Sequence, residues 1–479
     1  MSPNYLIRNG LIVSGNGINK NDILIVDGTI QKIGEIQGNI LAKRVIDASG
    51  KYVLPGIIDT HCHPVYADKM DTFSRSAAFG GVTTVIPFIG NVANWGYSGK
   101  TSETVERLIE EGEKTSYLDF SAHAVFTSED NYASEIPKLV KMGVTSFKMF
   151  MTYFKRGLMM PDEKMLEVMD IVAHEGGIAM VHPENGYGIE YLIDKFTKTG
   201  KISREFFMPS QPNILEVEAV QRACAYALIT NCPLYCVHLS AREIPEILKK
   251  IRTEVRYIFS ETCPQYLSLT NQAVMERGPL AKVGPPLREK EDNEAIWRAL
   301  SQHIIDTVGS DSANVKAAQK RWGGSSKDMV NEVKAGATEN IFDARFGAAF
   351  AEQMLPVVYQ DGVNCGRITL PRLVQVMCEN PAKVFGLYPK KGTLQVGSDA
   401  DLVLFDPMVK VTISEKTIHS NADFTLFEGK QIIGAPVFSM QRGEVIIQNG
   451  ELKRKQGKAK FLPGNKDLAA YAEHGFPAE

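Results

Sequence analysis

The sequence predicts an α/β fold, a closed (β/α)8 barrel of the TIM type with a small β-sandwich domain formed by the N- and C-terminal segments. Three observations carry this expectation. Eight short apolar strand patterns alternate with helical patterns through the middle of the chain, and such alternation gives parallel β/α units that close into a barrel when there are eight of them. Short strands with Asn-Gly or Asp-Gly turns fill the beginning and return near the end, so the two ends are expected to meet as one sheet domain. A chain of 479 residues with 44% hydrophobic content can also bury one large core and a smaller one. The expected divisions are 1–54 for the first part of the sandwich, 55–390 for the barrel, and 391–479 for the second part with a C-terminal tail.

In chain order, strands are expected at 5–8, 22–26 and 29–33, with turns at Asn9-Gly10 and Asp27-Gly28. Barrel strands follow at 54–60, 83–88, 119–126, 146–151, 178–181, 233–237, 257–260 and 304–308. Helical patterns fill gaps between them, for example 103–114, 162–174, 214–229 and 291–303. The closing strands are read at 400–405 and 443–447, followed by a turn at Asn449-Gly450.

The charge balance bounds the partners. A net charge of −3 and a pI near 6.4 argue against nucleic acid or an anionic membrane as the main partner, because both favour a concentrated basic face. The basic run Lys453, Arg454, Lys455, Lys458 and Lys460 reads as a solvated surface segment. The first residues lack a charged leader followed by an apolar core, and no apolar stretch reaches the roughly 18 residues needed to span a bilayer; the expected location is the cytoplasm. Seven scattered cysteines are read as reduced and buried, and Cys232-x-x-x-Cys236 lacks the second pair of a zinc finger.

The chemistry gathers at predicted strand ends. The first barrel strand closes on His61-Cys62-His63, and residues two apart on a strand share a face, so both imidazoles can reach one cation. The fourth strand carries Lys148, the fifth ends on His182, the sixth on His238 and the eighth on Asp311. In a β/α barrel the C-terminal strand ends form the reactive rim. An ammonium at Lys148, among apolar neighbours and beside a cation, is desolvated and repelled. Addition of carbon dioxide to the neutral amine converts it into a carbamate, an anionic bridge for two metal ions; a strand-end ion pair with an acid such as Asp311 is the alternative. Nitrogen and carboxylate ligands suit two divalent metal ions, Zn²⁺ foremost, with Mn²⁺, Co²⁺ or Fe²⁺ fitting the same set, and a pair of this kind performs hydrolysis.

On these residues the chain resembles the amidohydrolase superfamily, and within it the dihydropyrimidinase/hydantoinase family of cyclic-amide hydrolases. The matching stretches are PGIIDTHCH at 55–63, SFKMFMTY at 146–153, VHPENG at 181–186, HLSA at 238–241, ETCPQYL at 261–267, PPLR at 285–288 and GSD at 309–311, with NPAKVFGLYP at 380–389 and GSDAD at 397–401 extending the match. The resemblance implies a binuclear centre bridged by carboxylated Lys148, with His61, His63 and Asp311 on one metal and His182 and His238 on the other. It implies that a bridging hydroxide attacks the amide carbon, that Asp311 carries the proton to the departing nitrogen, and that the Tyr153 hydroxyl stabilises the oxyanion. It also implies a substrate contact through the backbone of Gly284, where the family commonly has serine, and a homotetramer touching through the sandwich and the tail.

Three departures leave the ring open. Asp311 is followed by Ser312-Ala313-Asn314 where the family usually has histidine, the segment from His63 to Phe73 is short, and the stretch 340–349, NIFDARFGAA, has no clear counterpart of the family's ring contact. Hydantoins, dihydropyrimidines and cyclic imides fit the reading, as do an allantoin-like ureide, a dihydroorotate-like ring and a xenobiotic cyclic amide. A non-catalytic scaffold of the collapsin-response-mediator type is the alternative from another class; such scaffolds have lost metal ligands, whereas all six positions are filled here.

Overall fold

The computed structural model describes residues 4–38, 42–92, 95–254, 257–321 and 340–465. The tail beyond 465, to which the resemblance assigns a contact between copies, lies outside the described residues. Eight parallel strand positions form the barrel: Ile57–Cys62, Val82–Ile89, the split pair Asp119–Phe120 and His123–Val125, Ser146–Phe150, Ile178–His182, Leu234–Cys236, Ile258–Thr262 and Thr307–Val308. The last returns to the first through a parallel bridge between Ser312 and Cys62. The Asp59 carboxylate fastens that seam, accepting from the Ser310 N–H at 2.9 Å and its hydroxyl at 2.7 Å.

The residues explain the elements. The first two, fourth and fifth strands are buried along their whole length, which is why they read as continuous apolar runs rather than alternating ones. The helix Asp162–His174 begins with two acids in its first turn and buries Met165, Val168, Met169 and Val172, a spacing that places one apolar stripe against the sheet. Phe88, Phe120, Phe126 and Phe147 are fully enclosed, and each contributes about 1.5–3 kcal/mol through burial.

The terminal sheet runs through nine strands drawn from both ends of the chain, including Tyr5–Ser14, Gly17–Val26 and Thr29–Gly34 from the first and Leu402–Thr412, Gln431–Gln441 and Glu444–Gln448 from the second. Its two ends fold over one shared core, in which Ile25 and Ile30 pack with Leu402 and Met440. Two sequence expectations change here. Asn9-Gly10 is a bulge inside one long strand rather than a turn, with Asn9 at φ +62°; left-handed backbone serves a bulge as well as a hairpin. The stretch 54–60 also divides. Tyr52–Pro55 pairs with Leu402–Thr412 in the terminal sheet, whereas Ile57–Cys62 enters the barrel. The pivot is Gly56, where a Cβ would lie 2.0 Å from the Thr83 hydroxyl.

A buried ionic cluster ties the sheet to the barrel. The Lys391 ammonium reaches Asp119 on the third strand at 2.9 Å, Asp399 at 3.0 Å and Asp401 at 2.7 Å, and Arg442 donates twice to Asp119. Removing one member of such a group strands the others without water. Lys391→Met is therefore expected to cost about 3–5 kcal/mol, measured as a fall in the urea midpoint; an unchanged midpoint contradicts this role.

Candidate metal centre and substrate pocket

All six residues expected at the rim come together. His61 lies on the first strand, Lys148 on the fourth and His182 at the end of the fifth. His63 follows its strand directly, and His238 and Asp311 come within three residues of the ends of theirs. His238 and Asp311, together with Tyr153, adopt left-handed backbone at φ +43°, +49° and +65°. Such conformations are costly for residues with side chains, and they turn each of these three groups toward the cavity at a strand end.

The His61 and His63 Nε2 atoms lie 3.1 and 3.5 Å from Asp311 Oδ1, and His61, His63 and Asp311 offer ligand atoms all within 4.8 Å of one another, a group able to hold a metal ion. On the other side, His238 Nε2 and His182 Nδ1 meet at 2.9 Å. The His61 and His238 ring centres are 5.3 Å apart, so the two halves form one cluster.

Lys148 stands among them, 1% exposed, and its Nζ has no hydrogen-bond partner among the described residues. The nitrogen lies over the rings of Phe88 and Phe150, at 5.1 and 5.5 Å from their centres. The ion pair with Asp311 is not formed; that carboxylate is turned to the two histidines. Burial pulls the Lys148 amine down to about 7 despite the opposing charges of Glu261 and Asp311, so a large neutral fraction exists near neutral pH. An orphaned nucleophilic nitrogen amid four imidazoles and a carboxylate is a donor set that fits two divalent ions joined by a carbamate.

The electrostatics are divided. His182 and His238 are held well below the ordinary histidine range by burial first, aided by Lys148 at His182 and by His182 at His238, so both stay neutral. At His61 burial acts downward, but Asp311 and Glu261 outweigh it and raise the ring to about 9. Burial raises the Asp311 carboxyl, yet His61 and His63 hold it well below the usual carboxylate range.

Glu261 was given no role by the sequence reading. The seventh strand, expected to stop near residue 260, runs to Thr262 and carries this carboxylate inward. It accepts from His61 Nδ1 at 2.6 Å, from the Thr60 hydroxyl at 2.7 Å and from the Tyr235 hydroxyl at 2.8 Å, which fixes the ring so that Nε2 faces Asp311. The strand-end rule, extended two residues, would have found it. Glu184 does the same for His182 at 2.7 Å. His123, a fifth buried histidine nearby, has both nitrogens bonded, to Ser146 and to the Thr60 carbonyl, and is structural.

The centre opens into a cavity of about 810 Å³. Tyr153 lines it, its ring 5.2 Å from that of His182 and 5.7 Å from that of Phe346. Gly284 faces this ring: a Cβ there would lie 3.1 Å from both the Tyr153 hydroxyl and Phe346, so a serine at this position would meet crowding. The stretch 340–349 also lines the cavity, through Phe342, Arg345 and Phe346 among others. Its carbonyls at Ile341 and Phe342 are drawn away by the buried Lys282 ammonium, at 2.8 Å each. Ser312, in place of the expected histidine, binds backbone: its hydroxyl accepts from the Phe350 N–H at 2.9 Å and its carbonyl from the His63 N–H at 2.9 Å.

Comparison with known proteins agrees with this geometry. The model of the amidohydrolase family matches residues 52–446. A D-hydantoinase of Ralstonia pickettii is 36% identical over 96% of this chain and 99% of its own, and an L-hydantoinase of Paenarthrobacter aurescens is 32% identical over 95% and 97%. The crystal structure of a dihydropyrimidinase from Brevibacillus agri superposes with a TM-score of 0.89 at 30% identity, covering 96% of this chain and 99% of that one. With the family model spanning most of the chain, and relatives of both hands matching nearly end to end, the chain belongs to the amidohydrolase family and to its hydantoinase/dihydropyrimidinase branch.

Proposed function

We propose that this protein is a metal-dependent hydrolase that opens a cyclic amide, of hydantoin, dihydropyrimidine or imide type, at a ring C–N bond. The observation that carries the reading is the orphaned Lys148 amine enclosed by four histidines and Asp311 on one rim of the barrel. In this reading His61, His63 and Asp311 would hold one divalent ion, His182 and His238 would hold the other, and Lys148, as a carbamate, would serve both, with Zn²⁺ the metal best suited to the donor set. Such a pair supplies Lewis acidity toward a ring carbonyl and hydroxide at neutral pH.

The chain's own groups do the rest. Asp311, held as a carboxylate by its histidine neighbours, accepts a proton at Oδ and returns it to the departing ring nitrogen. Burial raises the Tyr153 hydroxyl above its ordinary range, which keeps it protonated as a donor to the developing oxyanion. Glu261 and Glu184 hold His61 and His182 in orientation. No helix among the described residues is long and apolar enough to cross a membrane. The reading includes a homotetramer located in the cytoplasm, and the exposed Met408, Val411 and Ile433 on the terminal sheet support a contact between copies there.

Four outcomes test this. Protein loaded with Zn²⁺ and bicarbonate should open hydantoin, 5,6-dihydrouracil or a cyclic imide and lose that turnover on chelation; full metal loading without turnover of any ring would contradict it. Lys148→Ala should lose most activity and regain a little with added short-chain carboxylic acids, while wild-type activity in that variant excludes the carbamate. At constant dissolved carbon dioxide, reactivation of the apo-protein should quicken as pH rises through about 7, where the Lys148 amine sheds its proton; a rate independent of pH opposes the assignment. Tyr153→Phe should lower kcat about 10²–10³-fold with a small change in KM, and a loss confined to KM would move Tyr153 from catalysis to binding.

A further inference from the structure

Two guanidinium groups line the pocket. Arg156 follows the fourth barrel strand and stacks over the Tyr153 ring at 4.5 Å; Arg345, half-buried, comes from the stretch 340–349, and both line the cavity. Among the described residues neither makes an ion pair with a carboxylate.

The acids lining the same cavity are committed elsewhere. Glu190 and Asp194 pair with Lys155, Glu184 with His182, Asp311 with the first histidine pair, and the exposed Asp343 accepts from the Asn340 amide at 2.9 Å. Lys282 adds a further buried cation, satisfied by carbonyls and lying 4.5 Å over the Phe346 ring. Arg156 and Arg345 therefore stand on the pocket wall with no acid among the described residues bonded to either. Burial lowers Arg345 against the raising influence of Tyr66, and Arg156 adds a smaller downward push that an anion bound beside them would relieve. Tyr153 stands between the His182 ring and Arg156, which puts this charge one aromatic ring away from the candidate centre, at the distance of a substituent rather than of the scissile amide.

Resting on the hydrolase reading above, we propose that the substrate is a cyclic amide or ureide bearing a carboxylate side chain, and that Arg156 and Arg345 bind that carboxylate. Arginine suits the role because its planar fork matches a carboxylate with two hydrogen bonds. Arg345 makes stretch 340–349 a determinant of specificity in this reading.

The test compares two rings of equal size that differ in charge, hydantoin-5-acetic acid and hydantoin-5-acetamide, on metal-loaded enzyme. The acid should be preferred in kcat/KM by about ten- to hundredfold, mainly through KM, as charge-assisted hydrogen bonds provide. That ratio should fall to about one in Arg345→Gln and to a lesser degree in Arg156→Gln, stay partly in Arg345→Lys, and shrink with added salt. An amide hydrolysed as well as the acid by the wild type, or a ratio unmoved in both glutamine variants, overturns the proposal. If neither ring nor hydantoin itself is opened, it is the hydrolase reading that fails, and calorimetric titration of the two compounds then decides the anion site. Tighter binding of the acid, lost in Arg345→Gln, supports the site, and equal affinities overturn it.

Discussion

An amine shut away from water without a hydrogen bond is the constraint on which the rest of this architecture depends. Lys148 sits on a strand buried along its whole length, and leaving an ammonium there costs several kcal/mol. The surroundings do not offset the cost with an acid, since Asp311 faces the histidines and Glu261 is occupied by His61, Thr60 and Tyr235. What they provide is a low-dielectric chamber in which the amine loses its proton readily. In the proposed reading that chamber is the device: it prepares a nucleophile for carbon dioxide and then a carbamate for two cations.

The frame around this chamber is stiff where the chemistry needs it stiff. Asp59 and Ser310 close the barrel behind His61, and the carboxylates of Glu261 and Glu184 fix the rings of His61 and His182. Three residues aimed at the cavity sit in left-handed backbone, a conformation that persists only where packing over-determines it. The pocket wall, by contrast, is built from loops whose sequence is free to differ from relatives without touching the metal set.

Much of this was legible in the chain. Strand periodicity and the His-x-His ending gave the barrel and its rim, because buried parallel strands leave continuous apolar runs whose polar termini stand out. Lys148 was conspicuous for the same reason. Glu261 was missed because an acid two residues past an apolar run reads as the start of a loop, and only the strand's extension to Thr262 shows that it turns inward. The bulge at Asn9-Gly10 was read as a turn because both features use the same left-handed residues. The positions of Phe346 against Tyr153, and of Arg345 on the cavity wall, depend on loop paths that carry no period at all, so sequence marks stretch 340–349 as different without saying what it contributes.

The central claim concerns one nitrogen, and ¹³C NMR reads it directly. Protein incubated with divalent metal and ¹³C-labelled bicarbonate is expected to show a carbamate carbon resonance that persists after removal of free bicarbonate, disappears with chelation and is absent from Lys148→Ala. A fully metal-loaded, folded protein with no such resonance, or with one that survives in the alanine variant, would contradict the account.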